Sequence, residues 1–428
     1  MKILDVTEFY SERGGGVRSH LSLKSHVLCQ LGHDHVVVAP GASDAAEDDG
    51  AAGARLARRE GHARLVRIGG PSSPYDPTYH LLLRFDKIAA IVARERPDVL
   101  EIHSPYLAAL GAMRADPAHF GVRTFQWHSD FIDTYAGVFE GKLASSERAS
   151  LRPLARVVVP ATRPLWSVVR GIGRRCDATL VAAAWQVEKL ASHGVPRVHR
   201  VPFGIEHDVF RPDARSYETR RDLLALASHN ARDDDAMILV GVGRFAIEKR
   251  WDVVIDAFAR LRDEGRDVVL VLIGDGPERE RMQARVAGTA AAAGLAMPGF
   301  VKDRARLAAM LASADALVHA SPFETFGLSI AEAMSCGLPT IVPDRGGAAE
   351  MHVPDAGARY RSLDVDACAR ATASVLDRLA RGEDVRAAAA RAGRRLPSVR
   401  QQFEAQVALY ESLLAVARGR QNAHDSRS

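Results

Sequence analysis

The sequence predicts an α/β chain of two doubly wound domains. Three observations point there. Short apolar runs alternate with helical patterns along the chain, the signature of parallel strands covered by helices on both faces. The alternation restarts near residue 237, after a joint that carries two prolines and a glycine. And 428 residues are too many for one ordinary domain but suit two of about 200. A composition of 47% hydrophobic and 26% charged residues is that of a soluble globular protein.

Taken in order, the first half offers strands at 2–7 (KILDVT), 35–40 (HVVVAP), 63–68 (ARLVRI), 98–104 (DVLEIHS), 123–129 (RTFQWHS) and 178–184 (ATLVAAA). Helical patterns over 17–31, 79–95 and 164–175 lie between them. The charged segment 44–62 reads as a mobile insert. The second half offers strands at 237–244, 268–276, 316–321 and 338–344, with helices over 250–264, from 278, and over 327–336. The joint is VPFGIEHDVFRPD at 201–213. This sets a first domain at 1–203 and a second at 204–396. A helix follows over 397–418, and a polar tail, 419–428, reads as disordered.

Several classes are excluded. Cys29, Cys176, Cys336 and Cys368 form no C-x-x-C pair, which argues against a zinc site or a disulfide framework and suits a reducing cytoplasm. Met1-Lys2 runs straight into a strand, so no signal peptide is expected. No apolar run approaches the roughly 18 residues that span a bilayer. Nothing points to nucleic acid. The net charge of +4 is uneven: residues 1–203 hold 26 Lys+Arg against 21 Asp+Glu, and the rest 31 against 32. The stretch 142–175 holds eight Lys+Arg against one Glu. A basic first half suits an anionic partner or surface, or arginines that merely solvate a packed helix.

The most informative stretch is PFETFGLSIAEAMSCG at 322–337. It follows an apolar strand and enters a helix near Gly327. The backbone N–H groups of Phe326, Gly327 and Leu328 then point out of a helix N-terminus, an anion site helped by the helix dipole. Glu324 stands before that site and Glu332 about 7 Å along the helix behind it. A diphosphate at the terminus would leave one carboxylate for hydroxyls on each flank. A nucleotide sugar has that layout of sugar, diphosphate and ribose. Taken singly, Glu324 is a loop charge and Glu332 a solvated helix position.

Other strand ends add chemistry. GRFAIEK (243–249) sets Arg244 and Lys249 where two cations would offset a leaving diphosphate. The triple glycine of ERGGGVRSHL, with Gly15 and Gly16, offers either a phosphate cradle or a tight turn. QWHSD (126–130) presents His128, able to hydrogen-bond a sugar hydroxyl or to exchange a proton, and Asp130, able to orient it or face an acceptor. His103, ending the neighbouring strand, is a weaker acceptor-side candidate. IGDGPE (273–278) is a turn that could meet a base or ribose. Asp233, Asp234 and Asp235 precede a strand and read as a solvated turn. No carboxylate pair stands at a strand end, so no metal is expected.

These motifs resemble the retaining glycosyltransferases of the GT-B fold, the large family of sucrose-synthase-like and mannosyltransferase-like enzymes with a Glycos_transf_1-type C-terminal domain. Glu324 to Glu332 matches its E-x7-E motif, GRFAIEK its GR…EK segment, GGGVRSHL its glycine-rich loop and VPFGIEHDVFRP its interdomain segment. Three positions depart: Phe203 stands in place of an asparagine, Glu206 in place of an aspartate, and Arg250 where glycine is common. The resemblance implies two Rossmann-like domains facing across a cleft, with the C-terminal helix returning to the first. It implies transfer of a hexose such as mannose or glucose from a GDP- or UDP-linked donor to a glycan, lipid-linked or small-molecule hydroxyl. Glu324 would contact the donor sugar and Glu332 the ribose. Phe326, Gly327 and Leu328 would bind through amides, Arg244 and Lys249 would hold the diphosphate, and Gly15 and Gly16 would lie near the phosphate. His128 would approach the sugar. A cytoplasmic enzyme with peripheral contact at the inner membrane face fits this reading. An epimerase of the same fold, or a non-catalytic nucleotide-sugar binder, is the alternative.

Overall fold

The computed structural model describes residues 1–10, 16–48, 61–73, 78–144, 154–227, 236–289 and 291–425. The chain divides into two compact units. The first is Met1–Ser129, Ala161–Pro202 and Val399–Ser428, and the second Asp130–Pro160 with Phe203–Ser398.

The first unit carries an eight-stranded sheet of β1 (Lys2–Val6), β2 (Asp34–Gly41), β3 (Ala45–Asp48), β4 (Ala63–Gly69), β5 (Val99–Ile102), β6 (Val122–Gln126), β7 (Ala178–Val181) and β8 (Val198–Arg200). Their spatial order is β3-β4-β2-β1-β5-β6-β7-β8. All pairs are parallel except β3 on β4. The inner strands are buried on both faces, which suits their largely apolar runs, although β5 and β6 also bury Glu101, Arg123, Thr124 and Gln126. The second unit repeats the plan with β9 (Met237–Val242), β10 (Val268–Ile273), β11 (Leu295–Gly299), β12 (Ala316–Val318), β13 (Thr340–Pro343) and β14 (Gly357–Tyr360). Their order, β11-β10-β9-β12-β13-β14, is wholly parallel. In each sheet the chain reverses its direction of growth at one place, between β1 and β5 and between β9 and β12. Open parallel sheets bind ligands at the carboxyl ends of the strands at that switch.

Four differences from the sequence reading have physical reasons. Residues 45–48, expected in a mobile insert, pair with β4 as an antiparallel edge strand; residues 49–60 of that insert lie outside the described ones. The first domain does not run unbroken to 203. Residues 130–160 group with the second unit, where the helix Phe131–Ala144 packs on the turn Ile247–Lys249. A Cβ added at Gly137 would stand 2.9 Å from the Phe323 ring. The C-terminal helix is longer than expected, Val399–Asp425, so 419–425 are helical rather than a loose tail. And β8 and β14 carry too few apolar residues to stand out, while β11 ends in a Pro-Gly pair that reads as a turn.

That C-terminal helix belongs to the first unit. Phe403, Val407, Tyr410 and Leu414 recur at helical spacing and are buried, with Ile3, Leu28, Val99 and Val122 in the cluster that holds the last three. The same face brings polar groups inside. The Tyr410 hydroxyl donates to Glu101 at 2.7 Å, and Gln406 donates to Glu101 at 3.1 Å. Lys24, fully buried on the helix Gly16–Gln30, lies within 2.8 Å of a carboxylate oxygen on both Asp5 and Glu101. Taking these ions out of water is costly unless they stay paired. Lys24→Met, which strands the two carboxylates, is expected to lower stability by about 3–5 kcal/mol in urea unfolding. A loss below about 1 kcal/mol would show that Lys24 is not the counter-ion on which that cluster depends.

Candidate active site

The second unit's switch point gathers the main candidates. β9 runs into Gly243 and Arg244, and β10 into the turn at Gly274–Gly276. The two turns touch: a Cβ on Gly274 would fall 1.9 Å from the Gly243 carbonyl oxygen. Phe245 N–H donates to the Asp275 carbonyl at 2.9 Å, and Glu278 N–H to the Phe245 carbonyl at 3.0 Å. The buried Trp251 indole donates to the Arg244 carbonyl at 3.0 Å, which fixes the turn from below. Arg244 itself is exposed. Arg250 has φ 53°, the left-handed region that glycine adopts at no steric cost. Its guanidinium grips Asp252 at 2.8 and 3.0 Å, which offsets a backbone cost of about 1 kcal/mol.

Across the switch, β12 ends at Val318 and the chain reaches Glu324 through the buried His319. Lys249 Nζ is hydrogen-bonded to Glu324 Oε1, and His319 Nε2 lies 3.3 Å from the same oxygen. Burial pushes the Glu324 carboxyl up, but Lys249 and His319 together hold it well below the usual carboxylate range. Glu324 is therefore ionised through the neutral range. Gly327 follows with φ 96° and opens the helix Leu328–Ser335. The loop at Gly346 and Gly347 lies so close that added Cβ atoms would stand 2.8 Å from the Glu324 carbonyl oxygen and 2.7 Å from Phe326 N. Gly347 N–H donates to that carbonyl at 2.7 Å. Backbone contact of this kind fixes the 322–327 turn without side chains.

Glu332, the fifth residue of the helix, is buried. Arg304 lies 2.9 Å from its carboxylate and also donates to Glu206 at 2.9 Å. Burial raises the Glu332 carboxyl above its ordinary value, and Arg304 only partly offsets this. Glu206 is thus an anchor for Arg304. Phe203, the other departure in the joint, is buried and packs edge-on against Phe326 with ring centroids 5.4 Å apart.

The first unit's switch point holds the remaining candidates. His103 follows β5 and His128 follows β6, and His103 Nδ1 lies 2.7 Å from His128 Nε2. Gly16 opens a helix, with no atom within 4 Å of where its Cβ would stand, so space does not demand glycine there. Gly15 and Asp233, Asp234 and Asp235 lie outside the described residues. Asp130 is buried but groups with the second unit, apart from His128 in the division.

Among the described residues two clusters have metal-like spacing, His20 with His103 and His128, and Asp5 with Glu101 and His103. Asp5 and Glu101 stand opposite each other on adjacent strands, a carboxylate pair the sequence reading did not foresee. Lys24 lies against both. Two nitrogens on one tetrahedral zinc would lie about 3.3 Å apart, given bonds of about 2.0–2.1 Å. The 2.7 Å between His103 and His128 is instead the length of a shared proton. The sequence reading missed His319, Arg304, Lys24, Asp5 and Glu101. His319 carried a signal, a polar residue closing an apolar strand; Arg304 carried none.

Known proteins bear on this geometry. Residues 14–209 match the family described as Glycosyltransferase Family 4, and residues 225–395 match Glycosyl transferases group 1. A GDP-mannose-dependent alpha-(1-6)-phosphatidylinositol dimannoside mannosyltransferase of Mycobacterium tuberculosis is 28% identical over 84% of this chain and 83% of its own length. A GDP-mannose-dependent alpha-mannosyltransferase of the same species is 29% identical over 83% and 82%. Among solved structures, a sucrose-phosphate synthase from Thermosynechococcus elongatus superposes with TM-score 0.71 at 19% identity, covering 97% of this chain and 99% of that one. With two units of the expected topology and these matches along both, the chain belongs to the GT-B glycosyltransferases.

Proposed function

We propose that this hexosyltransferase moves mannose from GDP-mannose to a hydroxyl of a lipid-linked glycan, with retention of anomeric configuration. The observation that carries the reading is the Lys249–Glu324–His319 group beside the N-terminus of the helix Leu328–Ser335, at the switch point of the second sheet. Helix N-terminus, Lys249 and Arg244 form a cationic seat for a diphosphate. Glu324 and Glu332 flank it on the sugar and ribose sides. The relatives named for GDP-mannose favour guanosine over uridine and mannose over glucose.

In the reaction the bond from C1 to the β-phosphate oxygen breaks and the acceptor oxygen bonds to C1 from the same face. The acceptor's proton passes to the departing phosphate. No enzymic nucleophile is required, so the glutamates position the sugar and nucleotide instead of attacking. Arg244 and Lys249 stabilise charge that grows on the leaving group, which a divalent ion would otherwise do.

The lipid-linked acceptor finds support on the surface. On the helix Arg163–Arg175, Trp166, Val169 and Ile172 face inward while Leu165 and Val168 are exposed among Arg163, Arg170, Arg174 and Arg175. Apolar side chains among cations suit an anionic membrane surface. No described helix is long and apolar enough to cross a membrane.

A transfer assay with GDP-mannose in EDTA tests the function. Wild type is expected to make product; complete loss that magnesium or manganese restores would show a metal-dependent site. Glu324→Gln is expected to lower kcat at little-changed nucleotide affinity, and Glu332→Ala to weaken nucleotide binding by about 1–3 kcal/mol. Unchanged affinity in Glu332→Ala would remove its ribose role. Co-sedimentation tests the membrane: anionic vesicles at low salt should pull the protein down and neutral ones should not. Equal, negligible binding to both would retire the membrane contact and leave the transfer reading intact.

A further inference from the structure

The first unit carries a pocket at the edge of its sheet away from the switch point. β7 begins at Ala178 and β8 at Val198, so Asp177 and Arg197 stand at the amino ends of those strands. His103 and His128, by contrast, follow the carboxyl ends of β5 and β6. The pocket encloses about 330 Å³. Arg174, Arg175, Arg197 and Arg420 line it with His199, against one acid, Asp177. Its other wall is the C-terminal helix, where Leu413, Val416, Ala417 and Arg420 recur at helical spacing on one face. Leu413 packs against Ala178, Leu180 and Val201, which ties that wall to the strands. All of these residues belong to the first unit.

Arg197 has φ 53°, a left-handed backbone that a residue other than glycine adopts at a cost. Its guanidinium is pinned in place. Nε donates to the Cys176 carbonyl at 3.0 Å, and Nη2 to the Gly173 and Arg174 carbonyls at 3.1 and 3.0 Å. Those carbonyls lie at the C-terminal end of the helix Arg163–Arg175, where acceptors outnumber intrahelical donors. A guanidinium has five N–H donors in one plane. These bonds spend those of Nε and Nη2, and the two on Nη1 remain. Among the described residues no carboxylate forms an ion pair with Arg174, Arg175, Arg197 or Arg420. The Asp177 carboxylate accepts instead from the backbone N–H of Arg123 at 2.9 Å. The pocket therefore keeps a cationic wall with an apolar helix face opposite. Arginines take phosphate oxygens through paired N–H groups, and an apolar face gives the organic part of an ester a surface to lie on.

We propose that this pocket binds a phosphate ester, with the phosphate on Arg197, Arg174 and Arg420 and the organic part against Leu413 and Val416. A lipid headgroup and a soluble sugar or polyol phosphate share that chemistry. The proposal is independent of the transfer reading, since no residue of the pocket stands at a switch point.

Calorimetry on the full chain with glycerol 3-phosphate tests it, against potassium chloride at equal ionic strength. Wild type is expected to bind the ester above the chloride control. Arg174→Gln combined with Arg420→Gln, both at exposed positions, is expected to bind it about tenfold more weakly or worse, the scale of a charged hydrogen bond. Arg197→Gly, which eases the backbone as it removes the guanidinium, is expected to lose the binding as well. The same loss is expected when the arginine substitutions are made in Lys249→Met, which separates this pocket from the anion seat of the second unit. No binding above the chloride control, wild-type affinity in the arginine variants, or a loss that vanishes in Lys249→Met would overturn the proposal. Co-sedimentation then tells the two sources apart. Neutral vesicles doped with phosphatidic acid are compared with others doped with phosphatidylglycerol at matched surface charge. A preference for phosphatidic acid that the double arginine variant loses bears the proposal out with a lipid headgroup as ligand. Ester binding without that preference bears it out with a soluble phosphate. Both measurements are made without a sugar donor, so an absence of mannose transfer would strike the transferase reading and leave this one standing.

Discussion

The contact between Lys249 and Glu324 organises the second unit's site. It joins the two halves of the sheet at its switch point, since Lys249 follows β9 and Glu324 follows β12. Without a ligand the lysine and the carboxylate neutralise each other, and His319 adds a third partner. A depressed carboxyl adds stability above its unfolded value that is lost as pH falls through the folded one. The pair is therefore intact at neutral pH. In the proposed reaction, a diphosphate that took Lys249 would exchange one anion for another at the same cation. On that proposal Glu324 would then be left charged beside the sugar hydroxyls. Close backbone packing at Gly346 and Gly347, and the Trp251 hydrogen bond beneath Arg244, hold the two turns for that exchange.

The first unit solves a related problem with a different set of groups. Its switch point holds Asp5 and Glu101 on adjacent strands, and the chain supplies Lys24, Thr124, Gln406 and Tyr410 to satisfy them. Two of those donors come from the C-terminal helix, about 305 residues further along the chain. The helix thus completes a polar core as well as an apolar one. Such clusters are costly when a member is missing, and so they constrain the geometry of whatever they touch. Here they touch His103 and, through it, His128.

Much of this was legible in the sequence. The doubled parallel plan follows from the buried, mostly apolar runs of β1, β2, β9 and β10. The stretch from Glu324 to Glu332 was readable because strand, turn and helix fall in order within one segment. What stayed hidden depends on distance or on weak composition. Arg304 stands 98 residues from Glu206, and nothing local marks it as their shared partner. Lys24 reads as an exposed helix position until the strands behind it are known. β8 (VHR) and β14 (GARY) are short and mixed, so neighbours in the sheet make them strands rather than their own propensity. The segment 130–160 sits between strands of the first sheet in sequence, so its grouping with the second unit carries no compositional signal.

The most direct test of the account is calorimetric binding of GDP, without its sugar, to two single variants. Lys249→Met removes the cation proposed to hold the diphosphate, and binding is expected to weaken about tenfold or more, the scale of a charged hydrogen bond. Glu324→Gln releases Lys249 from its anionic partner, so GDP is expected to bind as tightly as in wild type or more tightly. Wild-type affinity in Lys249→Met, or a clear loss in Glu324→Gln with the fold intact, would contradict the exchange of partners at Lys249.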